Sequence, residues 1–352
     1  MKRTRKSIFG RVAASLVAAA LLASMTAVPA FAASDDPGIT YPPFQENKFT
    51  IQKTLYVQEN SYTPTVTFDF TVTPGTADSK AEAGPTDGVK QVSGAAFTTG
   101  DTTGGNSTAD ATFQVDMSKF KHAGVYKYTV TETTPDNPYA GITYTKETKT
   151  LYVYIENDGS GLKLAYTELV DENGTGKTNN FDNTYGDTDT DKNILNDLTL
   201  KKTISGTGAN MSEKFTFTIK VDGDEKGEKF LVKFSDGTTA DLTLISGESK
   251  TITLGNNDTA TIYGLSAGDT YTITENEGGQ NGYTTTVSGD TFEEGTYKVT
   301  GTISNDTTIA YDNNKGASTP TGVIMNIAPY ALLVVVALGA CCIFFVRKRR
   351  EA

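Results

Sequence analysis

Three residue types recur in one order along this chain of 352 residues, and together they can make a covalent bond. Lysine comes first, Lys53 within Phe49-Thr50-Ile51-Gln52-Lys53-Thr54-Leu55 and Lys202 within Leu198-Thr199-Leu200-Lys201-Lys202-Thr203-Ile204. Glutamate follows at Glu132 and Glu275, and asparagine closes each set at Asn183 and Asn313. The copies lie 202 − 53 = 149, 275 − 132 = 143 and 313 − 183 = 130 residues apart, so the order holds while the intervening loops shorten. In a dry interior a lysine amine gives up its proton more easily and a carboxyl keeps one. A neutral amine beside a carboxamide carbon is a nucleophile, and a protonated glutamic acid next to both can polarise the carbonyl and shuttle protons. Attack with loss of ammonia gives a Lys–Asn isopeptide bond, and fixed geometry supplies the effective concentration that so sluggish a reaction needs. Such a trio can also be a buried hydrogen-bonded cluster, or its lysine can snorkel past the strand edge. Finding the trio twice favours the bond.

These side chains meet only if strands aim them inward. Along a strand alternate side chains share a face, so Lys53 joins Phe49, Ile51 and Leu55, and Lys202 joins Leu198, Leu200 and Ile204. Glu132 is in phase with Tyr126, Tyr128 and Val130, and Glu275 with Tyr271 and Ile273. Asn183 alternates with Phe181 and Tyr185, and Asn313 with Ile309 and Tyr311. Further strands are expected at 66–72, 113–115, 151–155, 162–166, 215–221, 230–234, 240–244, 252–254 and 261–263, separated by Gly, Asn and Asp turns, with no convincing amphipathic helix in the exported region. Residues 74–105, rich in Gly, Thr, Ala and Asp, are expected to be a long surface excursion. The fold class is therefore all-β, two tandem β-sandwich domains at 48–186 and 197–315. A polar lead-in at 33–47 precedes them and an acidic linker at 187–196 joins them. Asp187, Asp189 and Asp191 in that linker resemble half a calcium loop, but no glycine or distal glutamate completes it, so a solvated linker is expected and neither a metal nor a cofactor is assigned.

The ends point to export. Lys2, Arg3, Arg5, Lys6 and Arg11 precede an apolar run from Val12 to Ala23 and the small-x-small triplet Ala30-Phe31-Ala32, the pattern of a secretory signal peptide covering 1–32. At the other end an apolar span, 323–346, is followed at once by Arg347-Lys348-Arg349-Arg350. Without five basic residues of the signal and four of the tail, 31 − 9 = 22 Lys and Arg remain against 42 − 1 = 41 Asp and Glu, a net charge near 22 − 41 = −19 for 33–321. That surface repels nucleic acid. Both cysteines, Cys341 and Cys342, fall in the apolar span and the one histidine, His122, in a turn, so disulfides, cysteine catalysis, serine–histidine catalysis and zinc chemistry have little to stand on. The chain is not expected to be an enzyme beyond one turnover upon itself.

The span, its basic tail and the upstream Ser318-Thr319-Pro320-Thr321-Gly322 together resemble a Gram-positive cell-wall sorting signal (316–352), although Thr319-Pro320 stands where the family has Leu-Pro or Val-Pro. The resemblance implies that a sortase attacks the Thr321 carbonyl and releases the Gly322 side. The lysine strands, Tyr-x-x-Thr-Glu at Glu132 and Glu275, and Phe/Tyr-Asp-Asn at Asn183 and Asn313 are similar to those of Gram-positive major (backbone) pilins of the streptococcal T-antigen type, whose domains are Cna B-type, Ig-like sandwiches. That likeness runs from about Phe49 to the sorting signal. It implies self-forming bonds Lys53–Asn183 and Lys202–Asn313, with Glu132 and Glu275 as catalytic acids, and polymerisation of Thr321 onto a lysine of the next subunit. By position that lysine is Lys177, with Lys163 and Lys149 as rivals. Implied partners are pilin-type and housekeeping sortases, identical subunits, tip and basal pilins, peptidoglycan and a host surface ligand. The implied location is a wall-anchored pilus on the cell surface, reached through a precursor held briefly in the membrane. A monomeric wall-anchored adhesin or minor pilin on the same folds is the alternative.

Overall fold

The structure, a computed structural model, describes residues 47–172, 176–178, 180–186, 195–223, 225, 227–289 and 291–317. The signal peptide, the lead-in up to Glu46, the linker aspartates Asp187, Asp189 and Asp191, and the sorting signal with Pro320, Thr321 and Gly322 lie outside the described residues. Strands dominate, with a single turn of 3-10 helix at Met117–Lys119 and no α-helix among the described residues. The chain divides into two compact units that part between Leu195 and Asn196, with Glu228–Leu231 grouped with the first.

In the first unit a long strand, Lys48–Tyr62, carries Lys53 and is flanked by Asn180–Tyr185 in parallel and Thr103–Val115 in antiparallel. The first and last strands of the domain are thus neighbours. The opposing sheet runs in the order Lys177–Thr178, Leu162–Val170, Thr148–Asn157, Gly124–Thr133, Val66–Pro74, Ala95–Phe97. Its Gly124–Thr133 strand carries Glu132 and buries Tyr126, Tyr128, Val130 and Glu132 in strict alternation. Branched aliphatic and aromatic residues supply both inner faces, Ile51, Leu55 and Phe181 from one sheet, Phe68, Tyr128 and Val153 from the other. Each such side chain contributes about 1.5–3 kcal/mol on burial.

The second unit repeats the plan. Leu195–Ser205, with Lys202, pairs in parallel with Thr307–Asn314, which pairs in turn with Thr284–Ser288. The opposing sheet runs Ser249–Leu254, Phe215–Asp222, Thr270–Glu275, Lys298–Thr302, Thr291–Glu293.

The chain departs from the sequence expectation at 74–105, which is not all surface excursion. Val89–Ser93 and Ala95–Phe97 are strands, and Val89, Ala95 and Phe97 are buried. These runs are too short and too poor in apolar residues for a period of two to stand out. Some of the glycines there serve close packing: a Cβ on Gly84 would lie 2.2 Å from the Tyr128 ring. The lysine strand also continues to Tyr62, well past the motif that marks its start.

Candidate functional site

In the first domain, parallel pairing sets Lys53 opposite Phe181 and Leu55 opposite Asn183. Lysine and asparagine are therefore offset by two positions on neighbouring strands and share the inner face. Glu132 approaches from the other sheet, where it pairs with Phe70. Its carboxylate bridges the other two: Lys53 Nζ donates to Oε2 at 2.6 Å, and Asn183 Nδ2 donates to Oε1 at 2.5 Å. All three side chains are buried, Lys53 and Asn183 completely. Aromatic rings wall the group, with Phe68 4.9 Å from Nζ and Phe70 against Phe181 at 4.9 Å between centroids.

The second domain repeats this geometry from different residues. Lys202 lies opposite Tyr311 and Ile204 opposite Asn313, the same two-position offset, and Glu275 pairs with Phe217. Asn313 Nδ2 donates to Glu275 Oε1 at 2.7 Å, and Lys202 Nζ sits 3.0 Å from the same oxygen. Lys202 is fully buried, with Phe215 4.3 Å from its nitrogen and Phe217 against Tyr311 at 5.2 Å.

Burial dominates the electrostatics. Loss of water pushes the Lys53 and Lys202 amines below the ordinary lysine value, against the opposing pull of Glu132 and Glu275. It likewise pushes the Glu275 carboxyl up, despite Lys202 and the hydrogen bond from Asn313. In the second domain both directions favour a neutral amine facing a neutral acid over a buried ion pair, whose desolvation can exceed its attraction. There Glu275 Oε2 has no hydrogen-bond partner among the described residues, a cost of about 1–3 kcal/mol for a buried unsatisfied group, and Lys202 Nζ meets the carboxylate only through its 3.0 Å contact with Oε1.

These shifts carry a stability signature wherever the amine stays free. In Asn183→Ala the Lys53 amine persists, and its lowered folded-state pKa means the unfolded chain binds more protons between that pKa and about 10.4. Stability should therefore rise with pH across that window and be lost again as pH falls through the folded pKa. Calorimetry of the first domain's transition from about pH 8 to about pH 10 should show the variant gaining on the wild type, whose Nζ would be an amide. Parallel curves would mean the lysine is no longer dry or was never free to titrate.

Other predicted residues separate by exposure. The Lys177 side chain, in the short strand Lys177–Thr178, is 57% exposed and lies 2.8 Å from Glu168 Oε1. Lys163 is similarly exposed and paired with Glu156, whereas Lys149 is 12% exposed, held by Glu147 and stacked over Phe181. A lysine that must reach another protein cannot be as enclosed as Lys149. His122 is an exposed turn residue near Glu82 and Tyr126. Two residues at the centres escaped the sequence reading. Thr145 reaches Asn183 Oδ1 with its backbone N–H at 3.1 Å and its hydroxyl at 3.2 Å, and the Thr285 hydroxyl donates to Asn313 Oδ1 at 2.7 Å. Each lies a few residues after a glycine, in Gly141-Ile142-Thr143-Tyr144-Thr145 and Gly282-Tyr283-Thr284-Thr285, but threonine is too common along this chain for that to have marked them.

Two β-sandwiches thus each bring their first and last strands side by side around a buried Lys–Glu–Asn trio, and comparison with known proteins bears on the class of the first. Residues 49–186 match the family model of the Spy0128-like isopeptide containing domain, and residues 196–315 match a Domain of unknown function (DUF7601). The first domain is therefore similar to Spy0128-like isopeptide containing domains, and the chain as a whole is pilin-like. It is 28% identical over 347 residues to a Pilin of Streptococcus pyogenes serotype M1, covering 94% of this chain and 98% of that one. The crystal structure of the major pilin from Streptococcus pyogenes superposes with a TM-score of 0.55 at 24% identity, over 78% of this chain and all (100%) of the other. The major pilin T3.2 of the same species gives a TM-score of 0.52 at 22% identity, over 77% of this chain and 99% of that one. At those identities the two structures speak for the fold. The pilus tip adhesin Cpa of Streptococcus pyogenes is 31% identical over 130 residues, 37% of this chain but 18% of the adhesin.

Proposed function

We propose that this chain is the shaft subunit of a sortase-assembled pilus, cross-linked internally by the bonds Lys53–Asn183 and Lys202–Asn313, which form without a separate enzyme. The observation that carries the reading is the trio itself, built twice with one register offset in a chain similar to a pilin from end to end. In each domain the neutral amine attacks the asparagine Cγ. Glu132 or Glu275 takes the Nζ proton and returns one to Nδ2, the C–Nδ2 bond breaks, and ammonia leaves. The product joins the first strand of each domain to its last.

Assembly then runs through Thr321, whose acyl group a pilin sortase transfers to a lysine of the next subunit, and Lys177 is the acceptor its exposure favours. Tip and basal pilins complete the fibre, and a housekeeping sortase attaches it to peptidoglycan on the cell surface. Tension entering at Lys177 passes through Asn183, the linker, Lys202, its bond to Asn313, and out at Thr321. The second domain's hydrogen-bonded fold is bypassed by a covalent strut, and most of the first lies off the path. Similarity to the tip adhesin spans 130 residues, 18% of that protein, whereas similarity to the pilin spans 98% of its length, which favours a shaft subunit over a lone adhesin. The test is whether the protein on cells forms high-mass, boiling-resistant ladders. A single monomer band from cells with an active pilin sortase would return the adhesin as the better reading.

A further inference from the structure

The bond needs more than an acid: as Nζ adds to Cγ, the carbonyl electrons move onto Oδ1, and that oxygen must be held. Donors fixed on a developing oxyanion in a dry site are commonly the largest single catalytic contribution. Resting on the proposed bonds, we propose that Thr145 and Thr285 are the oxyanion donors of the two reactions, so that each centre is a four-residue site rather than a trio.

The geometry is strongest in the second domain. Thr285 pairs directly with Asn313 across Thr284–Ser288 and Thr307–Asn314, and its hydroxyl lies 2.7 Å from Oδ1, at the buried end of both residues. The same hydroxyl accepts the N–H of Gly279 at 2.9 Å. A hydroxyl has one hydrogen, and with its acceptor side occupied by Gly279 that hydrogen is directed to Asn313. The carboxamide is thus gripped at both ends: oxygen on Thr285, nitrogen on Glu275 Oε1. That orientation presents Cγ to Lys202 and the leaving nitrogen to the acid. A flipped amide would put its oxygen on the carboxyl and its NH₂ on the threonine, away from the carboxyl that must protonate it.

The first domain reaches the same end by another route. Asn183 Oδ1 receives the backbone N–H of Thr145 as well as its hydroxyl, and that hydroxyl is shared with the Asp182 carbonyl at 3.0 Å. Here the backbone donor is the dependable one, and no side-chain substitution removes it. The two domains should consequently differ: loss of the hydroxyl slows the second reaction strongly and the first only weakly.

The test uses the full chain, produced by brief induction in a Gram-positive host, then digested and read by mass spectrometry for the cross-linked and free peptides of each domain over time. Thr285→Val keeps the shape and removes the donor. It should slow the Lys202–Asn313 bond on the order of 100-fold, the loss expected for one oxyanion donor, while Lys53–Asn183 forms in the same molecules at the wild-type rate. Thr285→Ser, which keeps the hydroxyl, should restore the second bond to within about tenfold of wild type, and Thr145→Val should cost the first bond less than about tenfold. Wild-type conversion of the second domain in Thr285→Val overturns the proposal. So does a Thr285→Ser variant as slow as Thr285→Val, since the defect would then lie in packing and not in the hydroxyl. Wild-type protein without any cross-linked peptide would overturn the bonds themselves, and the donors with them.

Discussion

Replacing Glu275 by glutamine should leave a chain with one internal cross-link instead of two and a second domain that melts on the order of 15 °C lower. Glutamine fills the same volume and can still contact Asn313, so the core stays packed. What it cannot do is take a proton from Lys202 Nζ and deliver one to the departing nitrogen. General acid–base contributions of that kind amount to about 10²–10⁴-fold, enough to turn a bond that forms during folding into one that does not form before the protein is used. The stability loss follows from the bond and not from the glutamate. Lys202 and Asn313 are 313 − 202 = 111 residues apart, and closing a loop of that size restricts the unfolded chain by about 4–5 kcal/mol. Calorimetry should find the first domain's transition unmoved, because its trio is complete without Glu275. A second transition at the wild-type temperature would mean that no cross-link was lost.

The other large effect concerns assembly. In cells that build the pilus, Lys177→Ala should abolish the polymer ladder altogether while both internal bonds persist, since the sortase acceptor is a single amine and nothing replaces it. Lys163→Ala and Lys149→Ala should polymerise normally. Lys149 is enclosed by Phe181 and Glu147, and Lys163 lies near the far end of its strand, in a hairpin pair with Glu156. Lys177 is the exposed lysine on the short strand just ahead of the asparagine strand, and its tether to Glu168 holds it against the sheet. An undiminished ladder from Lys177→Ala would move the acceptor elsewhere, with Lys163 the next to substitute.

Much of the site was legible because strand alternation is a strict code. Six polar residues fell on apolar phases, and the structure has all six buried, Lys53, Glu132 and Asn183 in one domain, Lys202, Glu275 and Asn313 in the other. The all-β class was legible for the same reason, in runs such as Phe215-Thr216-Phe217-Thr218-Ile219, which bury every second residue. What stayed hidden was non-local. No local pattern announces that the first and last strands of each domain lie side by side in parallel, or that lysine and asparagine are offset by two positions. Thr145, in the loop after Ile142–Thr143, and Thr285, in the strand Thr284–Ser288, stayed hidden because threonine is common throughout this chain and carries no signal until its hydroxyl is seen on a carboxamide oxygen. The strands at Val89–Ser93 and Ala95–Phe97 were missed because two or three apolar residues among glycines and threonines cannot establish a period.

The central claim, that both lysines end as amides, meets its most direct test in the intact mass of the Ala33–Thr321 segment. Two cross-links predict a mass below the sequence value by two ammonia molecules, reduced to one in Lys53→Ala and one in Lys202→Ala. The full sequence mass, in protein shown to be folded, would contradict it and leave two sandwiches with unreacted lysines in their cores.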